Sequence, residues 1–141
     1  MLEKNYEKFH GGPAARLGQL AEPRVTINRR SLIYLNRKAY EALGSPKAVA
    51  LYYSREDDSI AIESAYPRFA ENFPVIPKQE GWAIHASTFC RHFGISVPKT
   101  ERFLRPDLNK EGALILNLRE TVTVGGIKRR PNRRVLTDRS L

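Results

Sequence analysis

The sequence predicts a mostly-β fold with two short helices, an α+β arrangement built as two successive halves. Three observations predict it. Apolar and polar residues alternate over short stretches bounded by turn residues. Two brief helical patterns each run into a glycine, at Leu43-Gly44 and Phe93-Gly94. Those glycines lie 50 residues apart, each followed by a proline-containing loop and a hairpin pattern, which reads as a diverged tandem duplication.

Residues 1–23 hold Gly11-Gly12-Pro13 and near-balanced charges with little periodicity, and read as an arm or linker. From Arg24, Val25 and Ile27 alternate with polar neighbours, Asn28-Arg29-Arg30-Ser31 has turn chemistry, and Leu32-Ile33-Tyr34-Leu35 resumes an apolar run. That is strand, turn, strand. Asn36 can cap a helix by accepting a backbone N–H, Ala39, Tyr40 and Leu43 share one side, and Gly44 supplies a left-handed stop. Ala48 to Tyr53 and Ser59 to Glu63 then form a hairpin around the polar turn Arg55-Glu56-Asp57-Asp58.

The order recurs in 67–118, following a first half at 24–66. Phe73 to Ile76 is extended, Lys78-Gln79-Glu80-Gly81 turns, and Trp82 to His85 is a strand. Ser87 is placed to cap a helix over Thr88 to Phe93. Glu101 to Asp107, a turn at Leu108 to Gly112, and the strand Ala113 to Leu118 complete the half. Residues 119–141 read as a basic tail.

Length and composition fit one shared core: 141 residues, 41% apolar and 9% aromatic. No apolar run approaches the roughly 20 residues that cross a bilayer, so no membrane role is expected. A single cysteine, Cys90, and an opening without an apolar leader predict a reducing, cytoplasmic setting.

The formal net charge of +9 is unevenly spread. Residues 119–141 carry seven basic residues against two acidic ones, a net +5. Concentrated positive charge is the footprint of a phosphate-backbone binder, because each neutralised phosphate releases condensed counterions. In Lys128-Arg129-Arg130-Pro131-Asn132-Arg133-Arg134, proline and like-charge repulsion oppose compact structure and suit an extended arm on phosphates or in a minor groove. Arg29, Arg30, Arg37 and Lys38 would add a second basic face if the turn and the helix start lie on one edge. The bland alternative for all of these is solvated surface charge.

No catalytic constellation is visible, so an enzyme is not expected. Gly125-Gly126 lacks the Lys-Ser/Thr of a phosphate loop, and no Ser-His-Asp or Cys-His motif has its context. His85, Cys90 and His92 lack the second ligand pair of a structural zinc site, so no cofactor or metal is expected, and Glu56, Asp57 and Asp58 read as turn formers. Trp82, Tyr34, Tyr40, Tyr52 and Tyr53 could stack on bases, although their apolar periodic settings favour packing.

Residues 24–64 resemble the AbrB/MazE/SpoVT swapped-hairpin family: Ile33-Tyr34-Leu35, the helix end Ala42-Leu43-Gly44, Leu51-Tyr52-Tyr53, an acidic turn, and Ser59 to Ile62. A weaker second copy falls over 73–118. The resemblance implies a swapped-hairpin β-barrel, here with two halves in one chain, and a bacterial or phage DNA-binding transcriptional regulator without cofactor. Taken together with the charge pattern, it gives contacts to double-stranded DNA from Arg29, Arg30, Arg37, Lys38, Arg91 and the tail residues Lys128, Arg129, Arg130, Arg133 and Arg134. The chain departs from the family pattern at Ser31-Leu32, Asn36 and Tyr40-Glu41, where the family carries Gly-Arg, a proline and paired arginines; Gly81 and Arg91 keep more of it. Two rival readings stand beside this one: an antitoxin-like or adaptor module binding a protein partner through its terminal arms, and an RNA binder. Whether the halves pair within one chain or between chains of a homodimer stays open at this point.

Overall fold

The computed structural model describes residues 22–125. Eleven strands and two helices follow in the order β1 (Val25–Ile27), β2 (Leu32–Leu35), α1 (Arg37–Ala42), β3 (Ala48–Ser54), β4 (Ser59–Ala65), β5 (Phe73–Pro74), β6 (Ile76–Lys78), β7 (Gly81–His85), α2 (Ser87–Phe93), β8 (Glu101–Phe103), β9 (Asp107–Leu108), β10 (Leu114–Asn117) and β11 (Thr121–Thr123). They form two antiparallel sheets. Sheet A has the order β11-β8-β1-β2-β7-β6 and sheet B the order β5-β3-β4-β10-β9. The mostly-β class with two short helices is therefore as expected.

Each sheet contains a pairing between the two halves. In sheet A, Ile33 lies opposite Ile84 and Leu35 opposite Trp82; in sheet B, Ile60 lies opposite Leu116 and Ile62 opposite Leu114. Both pairings are made within one chain. Period-two alternation sends Val25, Ile27, Ile33, Leu35 and Ile84 of sheet A into one cluster with Val49, Ile60, Ile62, Leu114 and Leu116 of sheet B. Ala39 and Leu43 from the first helical segment, and Phe89, Cys90 and Ile95 from the second, join the same core.

The two helical segments share three backbone hydrogen bonds at matching positions. The amides of Tyr40 and Cys90 donate to the carbonyls of Asn36 and Ala86, those of Gly44 and Gly94 to Glu41 and Arg91, and those of Ser45 and Ile95 to Tyr40 and Cys90. Gly44 (φ 88°) and Gly94 (φ 70°) take the left-handed conformation that ends each helix.

Four expectations are corrected. The described strands make two open sheets, not a closed barrel; β5 and β6 at two of the edges carry Pro74 and Pro77, which lack the N–H a further pairing needs. Glu101 to Asp107 is not one strand: β8 joins sheet A beside β1, and the chain then crosses to sheet B as β9. Residues 119–125 are not tail but fold, since β11 pairs with β8; that pairing is non-local and leaves no local pattern. Ser87 does not cap α2 but is its first residue. The Ala86 amide donates to Ser31 O at 3.0 Å, so the sheet ladder runs through Ala86 and leaves it, without a side-chain cap, at the helix entrance.

Candidate nucleic-acid interface

The β1–β2 turn is built to display two arginines. Asn28 Oδ1 accepts from the amides of Arg30 (2.9 Å) and Leu32 (3.0 Å), while Asn28 O accepts from Ser31 N at 2.9 Å. The β9–β10 turn has the same construction around Asn109, with Gly112 (φ 85°) where the first turn has Ser31 (φ 64°). A serine in left-handed backbone carries a steric cost. Its side chain hydrogen-bonds Cys90, a buried thiol whose pKa is raised by that burial and eased downward by Ser31. The turn is thus tied to α2, and Arg29 and Arg30 stand exposed at its tip.

Arg37 and Lys38 occupy the first turn of α1, exposed, behind a strong cap: Asn36 Oδ1 accepts from Ala39 N and from Arg24 N, both at 2.9 Å. A cation gains nothing from a helix N-terminus, and the Arg37–Glu41 pair, 4.0 Å and solvent-exposed, is weak. Among the described residues, Arg29, Arg30, Lys38 and Arg91 have no acidic group within 4.0 Å.

The expected gathering of Arg29, Arg30, Arg37 and Lys38 on one edge does not occur. The turn precedes β2 and the helix follows it, so the two pairs sit at opposite ends of that strand, separated by its length of about 13 Å or more. Antiparallel pairing with β7 sets α2 beside the Arg29-Arg30 end and the Gln79-Glu80 turn beside the Arg37-Lys38 end. Arg91 lies in the last turn of α2. Lys128, Arg129, Arg130, Arg133 and Arg134 fall outside the described residues.

Between the two basic ends lies the outer face of sheet A, which carries cations the sequence reading missed. Cross-strand register lines up Val122, Arg102, Thr26, Tyr34, Ala83 and Ile76 across all six strands. These alternate with the core residues; Tyr34 is 36% exposed, whereas Ala83 is too small to reach solvent between its neighbours. A shallow depression of about 380 Å³ is lined by Arg24, Thr26, Tyr34, Asn36, Lys78 and Glu80. His85, opposite Leu32, is exposed on the same sheet. The outward parity of Arg24 and Thr26 was readable from buried Val25 and Ile27. The placement of Arg102 and Lys78 depends on long-range register.

Sheet B is electrostatically different. Its outward row Tyr52, Ala61, Ile115 and Asp107 crosses small and apolar residues, and Tyr52 Oη donates to Glu63 Oε1 at 3.0 Å. The hairpin 48–65 has Arg55 against Glu56, Asp57, Asp58 and Glu63, whereas 23–40 has five basic residues and no acidic one. The local excess of positive charge therefore lies on the β1, β2 and α1-start segment of sheet A.

His85, Cys90 and His92 do not converge on one point. Cys90 is buried, His85 faces outward on sheet A, and His92 packs edge-on to Phe93 with centroids 4.7 Å apart. Among the described residues no group of three or more His, Cys, Asp and Glu is placed to hold a metal, and no helix is long and apolar enough to cross a membrane. Comparison with family models, curated proteins and solved structures finds no match.

Proposed function

We propose that this protein binds nucleic acid, with double-stranded DNA as its preferred form, and acts as a transcriptional regulator of AbrB-like type through sheet A. The observation that carries this reading is the run 23–40: five cations, no acid, and two of the arginines presented by a turn that side-chain hydrogen bonds hold in shape. A turn whose backbone is already fixed loses little of its entropy on meeting phosphates, and Arg24, Arg102 and Lys78 continue the charge across the face. The family part of the reading is supported by the order of the strands: a hairpin from each half beside the other in both sheets. The tail, net +5 over 126–141, adds phosphate contacts.

The test is a fluorescence-anisotropy titration of the full chain against duplex DNA, single-stranded DNA and RNA at several salt concentrations. Tighter binding to duplex is expected, with affinity falling steeply as salt rises. Arg29→Ala/Arg30→Ala should lower the salt slope by about 2. A preference for RNA or single strands would move the reading to RNA binding. No binding at moderate salt would move it to a protein partner.

A further inference from the structure

The two halves share a backbone plan but not a charge pattern. The helical segments share three backbone hydrogen bonds at a constant spacing of 50 residues, and sheet A sets the β1–β2 hairpin against the β7–β6 hairpin across the β2–β7 pairing. At that spacing Arg29 and Arg30 of the first turn correspond to Gln79 and Glu80 of the second, and Arg37 and Lys38 of α1 correspond to Ser87 and Thr88 of α2. All four cations are replaced by neutral or acidic residues. Glu41 and Arg91, also 50 apart, are reversed in sign. The departures from the repeat fall on the same side. Residues 43–47 join α1 to β3, whereas 94–106 join α2 to β9 and contain β8, which pairs with β1 and sets Arg102 beside Thr26. β11 then adds to β8, so sheet A grows past the basic half and ends at β6 on the other.

From this we infer that one chain occupies one duplex site, and that the site lacks two-fold symmetry. This rests on the duplex-binding reading above. A scaffold with two equivalent basic halves grips an inverted repeat equally at both ends. This scaffold has one gripping half. The other offers Gln79-Glu80, whose carboxylate repels the phosphates that its counterpart arginines attract. The second half shapes and completes the sheet, and Lys78, Arg91 and Arg102 are its cationic contributions there, none of them at a position matched to the first half's four cations.

The experiment begins with selection by the full chain from a randomised duplex pool. Binding is then measured to the selected duplex and to two symmetrised versions, each repeating one half-site in inverted orientation, with stoichiometry from sedimentation. The expected result is a consensus without inverted repeat and a 1:1 complex. One symmetrised duplex should bind within about threefold of the selected one, and the other should lose tenfold or more, the effect of one or two poorly matched base pairs. Grafting the missing cations, Gln79→Arg/Glu80→Arg, should tighten binding and raise the salt slope by about 2. An inverted-repeat consensus, a 2:1 complex, or a graft that leaves affinity and slope unchanged in a chain that binds duplex overturns the inference and leaves the binding reading intact. Failure of the wild-type chain to bind any duplex at moderate salt overturns both.

Discussion

Tyr40 of α1 and Trp82 of β7 lie face to face, with ring centroids 4.0 Å apart and planes 8° from parallel. The pair joins the helix of the first half to the central strand of the second, at the end of sheet A where Arg37 and Lys38 emerge. Both rings are partly buried against the core.

Trp82→Ala should therefore cost about 3 kcal/mol, and Tyr40→Ala somewhat less. The double variant should fall short of additivity by about 1 kcal/mol, the extra value of a stacked aromatic pair. Urea unfolding of the four proteins checks this. Strict additivity would mean that the two rings act separately.

Gly81 opens β7 where the chain passes closest to β2. A Cβ there would collide with the backbone carbonyl oxygen of Leu35, which cannot swing away as a side chain can. Gly81→Ala should cost about 2 kcal/mol through backbone displacement. Gly112→Ala meets nothing nearby and carries only the penalty of left-handed backbone (φ 85°), about 1 kcal/mol. Thermal unfolding should rank Gly81→Ala below Gly112→Ala.

What was legible in the sequence is what local chemistry decides. Asn36 announces α1 through its cap, Gly44 and Gly94 announce the helix ends, and alternation of Val25 with Ile27 and of Ile60 with Ile62 gives strands and their inward faces. What stayed hidden depends on partners far along the chain. Thr121 to Thr123 is a strand because β8 is there to pair with it. Ala86, not Ser87, enters α2 because Ser31 O fixes the ladder. Lys78 and Arg102 join Arg24 and Tyr34 on one surface only through register between strands far apart in the chain. The proposed site was thus half-readable: its turn and helix-start cations were visible, but not that β2 holds them apart.

Tyr53 Oη donates to Asp58 Oδ1 at 2.6 Å, pinning the β3–β4 turn, and this hydrogen bond raises the Tyr53 pKa above its usual 10.0. Tyr52 is raised in the same way by Glu63. A folded-state pKa above the unfolded value means that the stabilisation is fully present below pH 10 and is lost as pH rises through the folded value. Spectrophotometric titration should show two late-ionising tyrosines. Tyr53→Phe should remove one of them and flatten the alkaline fall in stability. An unchanged titration would show that Asp58 does not hold the phenol.

The cations of sheet A and sheet B should separate by function. Arg24→Ala, Lys78→Ala and Arg102→Ala should each weaken duplex binding and lower the salt slope by about 1. Arg55→Ala and Lys110→Ala, on the hairpin turns of sheet B, should leave the slope unchanged. Arg55 lies over the rings of Tyr53 and Phe93 at 6.0 and 5.6 Å, so its loss should register in stability instead. Equal effects from both sets would point to diffuse attraction by net charge and away from a face.

Asn36 links the packing of the fold to the proposed site. Its Oδ1 receives the Ala39 amide, which starts α1, and the Arg24 amide, which fixes the entry to β1; its Nδ2 donates to Glu22 O at 3.0 Å. Removing the side chain uncaps the helix that carries Arg37 and Lys38 and frees the strand end that carries Arg24, so Asn36→Ala should cost about 2 kcal/mol, at the upper end for a lost cap. Duplex affinity should also fall, although Asn36 brings no charge, and the salt slope should stay near that of the wild type because the cations remain and only their ordering is lost. Asn36→Asp keeps the acceptor and so should recover most of the stability. It also sets a carboxylate in the depression lined by Arg24 and Lys78, so its binding should be weaker than its stability implies. Recovery of stability and affinity in equal measure by Asn36→Asp would remove that depression from the interface.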